Sequence, residues 1–100
     1  MAAKHVNKTS EAEADFAQAV MRLLERDPVV AGRFIDEFQA AIDRIAAFPE
    51  WCPIQRRSLR PELAGLRMAV LRRFGYLILY TYEADTVVIR RVIHGAREEL

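Results

Sequence analysis

The sequence has few cysteines and no long hydrophobic segment, and both shortages exclude classes of protein. Its 100 residues include one cysteine, Cys52, so neither an intramolecular disulfide nor a multi-cysteine zinc site can form. The longest nearly continuous apolar stretch, Phe74 to Tyr82, is nine residues long, whereas a membrane-spanning helix needs about 20. The first residues contain no apolar core of a secretory signal. We therefore expect one cytoplasmic domain, residues 1–100, with no metal, no cofactor and no membrane partner.

Lysine is also scarce, because 13 of the 15 basic residues are arginine, including all nine basic residues after position 50. Residues 1–50 carry six basic and nine acidic side chains, whereas residues 51–100 carry nine basic and five acidic ones. Arginine pairs bidentately with carboxylates and phosphates. The second half therefore predicts a surface for an acidic peptide or a nucleic acid. A GC-rich genome that favours arginine codons would explain the composition, but it would not explain the clustering.

The first half of the sequence has the periodicity of two helices. Ser10 and Glu13 form a capping box, and the first helix is expected to run from Glu11 to Arg26. Asp27-Pro28 fits the start of a second helix that Pro49 ends, and so short a connection requires antiparallel packing. The apolar stripes of this helical hairpin are Phe16, Ala17, Val20, Met21, Leu23 and Leu24, followed by Ala31, Phe34, Ile35, Phe38, Ala41, Ile42, Ile45 and Phe48.

The second half changes to the alternation of β-strands. One strand is expected from Leu66 to near Arg73, a central one from Tyr76 to Glu83, and a third from Thr86 to Ile93. Short turns between them require antiparallel pairing. A further short strand at Ala3 to Asn7 is poorly patterned. We predict an α+β fold in which an N-terminal helical hairpin packs on one face of a small antiparallel β-sheet.

The arginines of the second half occur in groups. Because successive residues of a strand point to opposite faces, the pairs Arg72-Arg73 and Arg90-Arg91 are each expected to place one guanidinium on the helix-free face, with Tyr80 or Tyr82 nearby. Basic groups beside aromatic rings suit single-stranded nucleic acid or an acidic peptide, and a solvated sheet face with arginines at its rim is the alternative. The predicted binding residues are Arg56, Arg57, Arg60, Arg67, Arg72, Arg73, Arg90, Arg91, Arg97, Tyr80 and Tyr82.

His94, where the last strand ends, is the candidate for acid–base chemistry, because its reference pKa lies near neutrality. Together with Arg97 it could act on RNA. No Ser–His–Asp order and no carboxylate pair accompanies it, so a structural role in the turn is the alternative. Cys52 has no activating base near it in the sequence, and we expect Trp51 and Cys52 to fix their loop to the core.

The order of these elements and three short motifs resemble the RelE/ParE superfamily of toxins from type II toxin–antitoxin systems. The resemblance extends from about Ser10 to Glu98 and is closer to the ParE branch. The motifs are Gly65-Leu66-Arg67, Arg73-Phe74-Gly75-Tyr76-Leu77-Ile78-Leu79-Tyr80 and Val87-Val88-Ile89-Arg90-Arg91-Val92-Ile93-His94-Gly95-Ala96-Arg97-Glu98.

The resemblance to the ParE branch implies an inhibitor of DNA gyrase that is not an enzyme and does not bind specific DNA sequences directly. It also implies a ParD-like antitoxin whose disordered acidic tail folds along the toxin. RelE-like members are ribosome-dependent mRNA nucleases with an Arg at the position of Leu77 and a Tyr beyond the position of Arg97, which this sequence lacks. That alternative would use His94 and Arg97. A toxin fold that has lost its toxicity and only binds an antitoxin is a third interpretation.

Overall fold

Two helices lie against one face of a four-stranded sheet, which is the predicted α+β arrangement. The structure is a computed structural model that describes residues 1–55, 61 and 64–95. A short strand precedes the helical hairpin, and the other three strands follow it. The elements are β1 (His5–Lys8), α1 (Ser10–Arg26), α2 (Pro28–Ala47), β2 (Arg67–Leu71), β3 (Tyr76–Glu83) and β4 (Thr86–His94). Neither helix is long and apolar enough to cross a membrane, within the part of the chain described.

The sheet has the strand order β1-β4-β3-β2. Strands β2, β3 and β4 form the predicted antiparallel meander. β1 pairs with β4 in parallel, so the sheet is mixed and the expectation of antiparallel pairing does not extend to its first strand. The reason is the helical hairpin between β1 and β2, which carries the chain from one edge of the sheet to the other. All four residues of β1 are exposed, which explains their poor hydrophobic pattern.

The start of α1 differs by one residue from the prediction. Its N-cap is Thr9, whose hydroxyl accepts from the Ala12 N–H at 3.0 Å, so the capping box based on Ser10 is wrong. Thr9 also donates its N–H to Ile89 O at 3.0 Å and its hydroxyl to Arg90 O at 2.9 Å. These bonds to β4 fix where the helix begins. The N-cap of α2 is Asp27, as predicted, and it accepts from the Val29 N–H at 2.9 Å.

The core between the helices and the sheet is built around Phe34, which is fully buried. Its ring centroid lies 5.8 Å from Phe16, 5.4 Å from Phe74 and 5.2 Å from Tyr76, so both helices and β3 meet at this side chain. Aromatic rings at these separations add attraction beyond the burial of their area. The predicted stripes are too wide, because a helix of a two-layer fold buries only one side; the stripe residues left exposed are Ala17, Met21, Leu24, Ile35 and Phe48.

Candidate functional site

The turn between β2 and β3 contains two of the predicted arginines. Strand β2 ends at Leu71, so Arg72 and Arg73 lie in a turn and the prediction that they alternate on a strand is wrong. Leu71 O accepts from the Gly75 N–H at 2.9 Å, which closes the turn. Both arginines are exposed, and Arg73 Nη1 lies 3.3 Å from Glu37 Oε1 of α2.

The second arginine pair lies at a β-bulge. The register shifts between Leu79–Arg91 and Tyr80–Ile89, so Arg90 is an extra residue opposite β3. Arg90 is exposed and donates to Thr81 Oγ1 at 3.3 Å, on the face opposite the helices. Arg91 donates instead to both carboxylate oxygens of Asp15, at 2.7 and 3.3 Å. The two arginines do diverge, and Arg91 joins β4 to α1.

Arg67 and the two tyrosines do not lie on an open basic surface. Arg67 Nη1 donates to Cys52 O at 2.6 Å and to Glu50 O at 3.3 Å. Tyr80 is fully buried on the helix side and donates its hydroxyl to Pro49 O at 2.9 Å, and this burial raises the pKa of Tyr80. Tyr82 is half-buried and packs against the same core. The expectation that Tyr80 or Tyr82 lies on the helix-free face is wrong, because their even spacing along β3 directs both toward the helices.

The centre of the helix-free face is apolar. Leu77, Leu79 and Ile93 are buried there, with Leu66 and Met68 packed beside them. Of the exposed arginines described, Arg90 borders this face beside Thr81. Arg73 instead reaches Glu37 of α2, and Arg72 lines a cavity beside Arg44 of the same helix. Four further predicted binding residues, Arg56, Arg57, Arg60 and Arg97, lie outside the described residues.

His94 faces the helices, on the side opposite Leu77. Its ring meets the Tyr76 ring edge-on at 4.9 Å between centroids, and Tyr76 belongs to the helix-side core. Leu77 is 8% exposed and belongs to the apolar cluster of the other face. A cavity of about 550 Å³ adjoins His94, lined by Arg22, Leu23, Glu25, Arg26, Phe74 and Tyr76. An Arg at position 77 and His94 would thus lie on opposite sides of the sheet.

An exposed aromatic surface follows the end of α2, and the sequence interpretation missed it. Phe48 is 64% exposed and Trp51 is 62% exposed, so the expectation that Trp51 fixes its loop to the core is wrong, while Cys52 is buried as expected. The Arg44 guanidinium lies 5.8 Å from the centre of the Trp51 ring. The signal that could have found this surface is Pro49, because the helical phase that assigned Phe48 to the core ends there.

A cavity of about 700 Å³ opens at this aromatic surface, lined by Met1, Arg44, Phe48, Pro49, Glu50 and Trp51. Among the residues that the structure describes, no group of three His, Cys, Asp or Glu side chains is placed to hold a metal ion. The features of the described chain that could receive a ligand are thus the cavity beside His94 and the aromatic surface at Phe48 and Trp51, each with arginines at its edge, which suit binding to another macromolecule.

One family model and two solved structures that resemble this chain all come from toxin–antitoxin systems. The sequence model described as the ParE toxin of the type II toxin–antitoxin system parDE matches residues 6–99. A chain of the toxin–antitoxin complex RelBE2 from Mycobacterium tuberculosis is 28% identical, with a TM-score of 0.61, over 96% of this chain and 95% of its own. A chain of the chromosomal ParDE system from P. aeruginosa has a TM-score of 0.73 over 90% of this chain and 94% of its own; at 15% identity it shows the shared fold alone. No curated protein sequence gives a match.

Proposed function

Because the chain belongs to the ParE toxin family of type II toxin–antitoxin systems, we propose that it is a toxin that inhibits DNA gyrase and is neutralised by a ParD-like antitoxin in the cytoplasm. The match over residues 6–99 is the observation that carries this proposal, since it includes both helices and nearly all of the sheet. The RelBE2 likeness supports an antitoxin partner in general and does not name the target.

The placement of His94 favours gyrase over messenger RNA as the target. Cleavage of RNA requires a base at the 2′-hydroxyl and cationic groups around the phosphate, all converging on one point. Position 77, which supplies an Arg in RelE-like enzymes by the resemblance described above, is a buried Leu on the opposite face from His94. An apolar Leu at position 77 can supply neither a base nor a cation to RNA, and this supports a target other than messenger RNA.

The distribution of charge favours an acidic antitoxin. Arg72 and Arg90 are exposed at two sides of the sheet, and Arg44 lies beside Trp51. A disordered acidic segment gains charge-assisted hydrogen bonds from such arginines and apolar contacts from the aromatic surface as it becomes ordered. The same features would serve a complex in which the antitoxin covers the surface that meets the target.

The decisive experiment is induction of the chain in cells without an antitoxin. We expect replication to stop and a DNA-damage response to follow while bulk mRNA stays intact. In vitro, the purified chain should inhibit supercoiling by gyrase, and the product of the neighbouring reading frame should relieve that inhibition. Cleavage of ribosome-bound transcripts within minutes of induction, with gyrase unaffected, would replace the gyrase proposal with the nuclease one.

A further inference from the structure

We propose that the cavity between the C-terminal half of α1 and the end of β4 binds a free nucleoside monophosphate, with the phosphate on arginines of α1 and the base against aromatic rings of the sheet. We call it the α1–β4 cavity. It has a volume of about 550 Å³ and adjoins a smaller cavity of about 140 Å³, since Arg22, Tyr76 and His94 line both. A site of this size holds one small molecule.

One face of α1 supplies the polar wall of the cavity. Gln18, Arg22 and Arg26 follow one another at spacings of four residues, which places them in one row along the helix. Gln18 lines the smaller cavity, Arg26 lines the larger one, and Arg22 lines both. Asp15, one step before this row, is bonded to Arg91. Its carboxylate is therefore engaged with β4 and does not neutralise the arginines of the row.

The charge of this wall selects an anion. Among the described residues, Glu25 is the acidic side chain that lines the larger cavity, against two arginines. Neither Arg22 nor Arg26 forms an ion pair with another described residue. Two guanidinium groups one helical turn apart present forked donors to the same anion, and the geometry of a phosphate matches such donors.

The hydroxyl of a buried tyrosine opens into the same space. Tyr76 is 6% exposed, and within the described part of the chain no group forms a hydrogen bond with its hydroxyl. Yet no described side-chain oxygen or nitrogen is both fully buried and without a partner, so this hydroxyl retains accessible surface. Tyr76 lines both cavities, which places that surface on their side. Buried tyrosines normally have a hydrogen-bond partner, as Tyr80 has in Pro49, and a ligand would provide one for Tyr76.

The wall opposite α1 is aromatic and held in place. Phe74 and Tyr76 line it, and both rings pack against Phe34, at 5.4 and 5.2 Å between centroids. The His94 ring packs edge-on against Tyr76 at 4.9 Å. Fixed aromatic rings attract a nucleobase, because every base has a flat face that packs on them. A nucleoside monophosphate has a phosphate for the arginines, a base for these rings and polar atoms for the Tyr76 hydroxyl.

This site is separate from the one that an RNA-cleaving toxin would use. The α1–β4 cavity lies on the helix side of the sheet, whereas Leu77, at the position of the RelE-like Arg, belongs to the other face. A nucleic acid strand needs a groove long enough for several nucleotides. The volume of the α1–β4 cavity is instead that of a site for one small molecule, which favours a free nucleotide over a strand.

The test is titration calorimetry of the full chain with adenosine 5′-monophosphate. We expect saturable binding that weakens as the salt concentration rises, because the phosphate is held by charge. Adenosine, which lacks the phosphate, and inorganic phosphate, which lacks the base, should each bind at least about tenfold more weakly. Arg22→Gln and Arg26→Gln should each weaken binding of the nucleotide by about tenfold, the effect of losing one hydrogen bond to a charged group.

Tyr76→Phe distinguishes a contact with the ligand from a role in the fold. Its hydroxyl has no partner among the described residues, so this variant should unfold at the same urea concentration as the parent chain. It should nevertheless bind the nucleotide about three- to tenfold more weakly. Tyr82→Phe and Arg33→Gln are the matched controls, because neither residue lines either cavity, and both should leave nucleotide binding unchanged. Circular dichroism establishes that each variant is folded.

Several results would overturn the proposal. Adenosine 5′-monophosphate could show no saturable binding at millimolar concentrations, adenosine could bind as tightly, or the three cavity variants could bind the nucleotide unchanged. Tighter binding of an unphosphorylated oligonucleotide would make a nucleic acid strand the ligand. A chain that ends at Gly95 is titrated in parallel; if it binds the nucleotide and the full chain does not, the last residues of the chain occupy the cavity and the proposal is wrong. None of these measurements involves gyrase or an antitoxin, so their outcome is independent of the proposed function.

Discussion

Asp15 and Arg91, 76 positions apart in the sequence, form the closest ion pair between the helical hairpin and the sheet in the described chain, with Nε and Oδ2 separated by 2.7 Å. The same carboxylate accepts from the Val92 N–H at 2.9 Å. β1 pairs with β4 only as far as Ile89, so Asp15 occupies the position beside the strand where β1 no longer reaches. One side chain thus satisfies both the guanidinium and the backbone of β4.

Replacement of Asp15 should destabilise the fold. Asp15→Ala leaves the partly buried Val92 N–H and the Arg91 guanidinium without this acceptor, and we expect a loss of about 1–3 kcal/mol in the free energy of unfolding. The measurement is unfolding by urea followed by circular dichroism. Arg90→Ala, at the exposed neighbour, is the control and should change stability by less than about 0.5 kcal/mol. Equal losses in both variants would contradict the role given to Asp15.

The buried hydroxyl of Tyr80 should make stability depend on alkaline pH. Burial raises the pKa of Tyr80 above its ordinary value of about 10, so the folded state disfavours the phenolate. Its contribution is then fully present below the unfolded pKa and is lost as pH rises above about 10. Urea unfolding from pH 8 to pH 11 is expected to show a smaller decline in Tyr80→Phe than in the parent chain.

Tyr80→Phe should also cost stability at neutral pH, by about 1–2 kcal/mol, because Pro49 O loses its donor in a buried position. Tyr82→Phe is the matched control, since the Tyr82 hydroxyl is 3.5 Å from Asp85 in a part-buried position. If the two variants have the same stability at pH 7 and the same decline above pH 10, the bond from Tyr80 to Pro49 contributes nothing.

Two glycines should respond to alanine with opposite signs. Gly75 has φ +71°, and a Cβ there would lie 3.4 Å from His94 Nε2, so Gly75→Ala should destabilise the fold by about 1 kcal/mol or more. Gly32 lies within α2, and a Cβ there would meet nothing within 4 Å apart from its chain neighbours and the backbone of its own helix, so Gly32→Ala should stabilise the fold by about 0.5–1 kcal/mol. Thermal unfolding of both variants measures the difference, and a shift in the same direction would contradict it.

Replacement of His94 should leave most of the toxicity. His94 packs edge-on against Tyr76 and faces away from Leu77, so on the proposed function it supports the end of β4 and transfers no proton. His94→Ala is expected to retain growth inhibition at matched expression, measured by colony counts after induction. His5→Ala, at an exposed position of β1, controls for expression. Complete loss of toxicity in a folded His94→Ala chain would favour the nuclease.

Most of the fold could be predicted from the sequence, because the hydrophobic period of the main helices and strands matches the faces that they bury. The bounds of β3 and the start of α2 were correct, since β3 is apolar on both faces and Asp27-Pro28 is a strong start signal. The parallel pairing of β1 was not predictable from four exposed residues. The exposed aromatic surface of Phe48 and Trp51 was missed because Phe48 continues the apolar period of α2 in the sequence. In the structure the chain leaves the helix at Phe48, and its ring is exposed to solvent.

The positions of the predicted binding residues were less accurate than the fold, because they depend on local backbone geometry that the composition does not encode. Adjacent arginines imply alternation only on a regular strand, and this chain places one pair in a turn and the other at a bulge. The tyrosines were assigned to the wrong face because the position of the helices decides which side of β3 is covered. Which arginines contact the antitoxin or the target stays a prediction.

The pairing of β1 with β4 has a consequence for how the chain folds during synthesis. β1 leaves the ribosome first, but its partner is the last strand to be made, and Thr9 must find Arg90 across 81 positions. Contacts of such long range are formed slowly, because the intervening chain must be closed into a loop before they contribute. A nascent chain that stops before β4 lacks the strand against which β1 and the start of α1 are fixed. The complete fold, and with it any toxicity that depends on the fold, arises only after β4 has been translated.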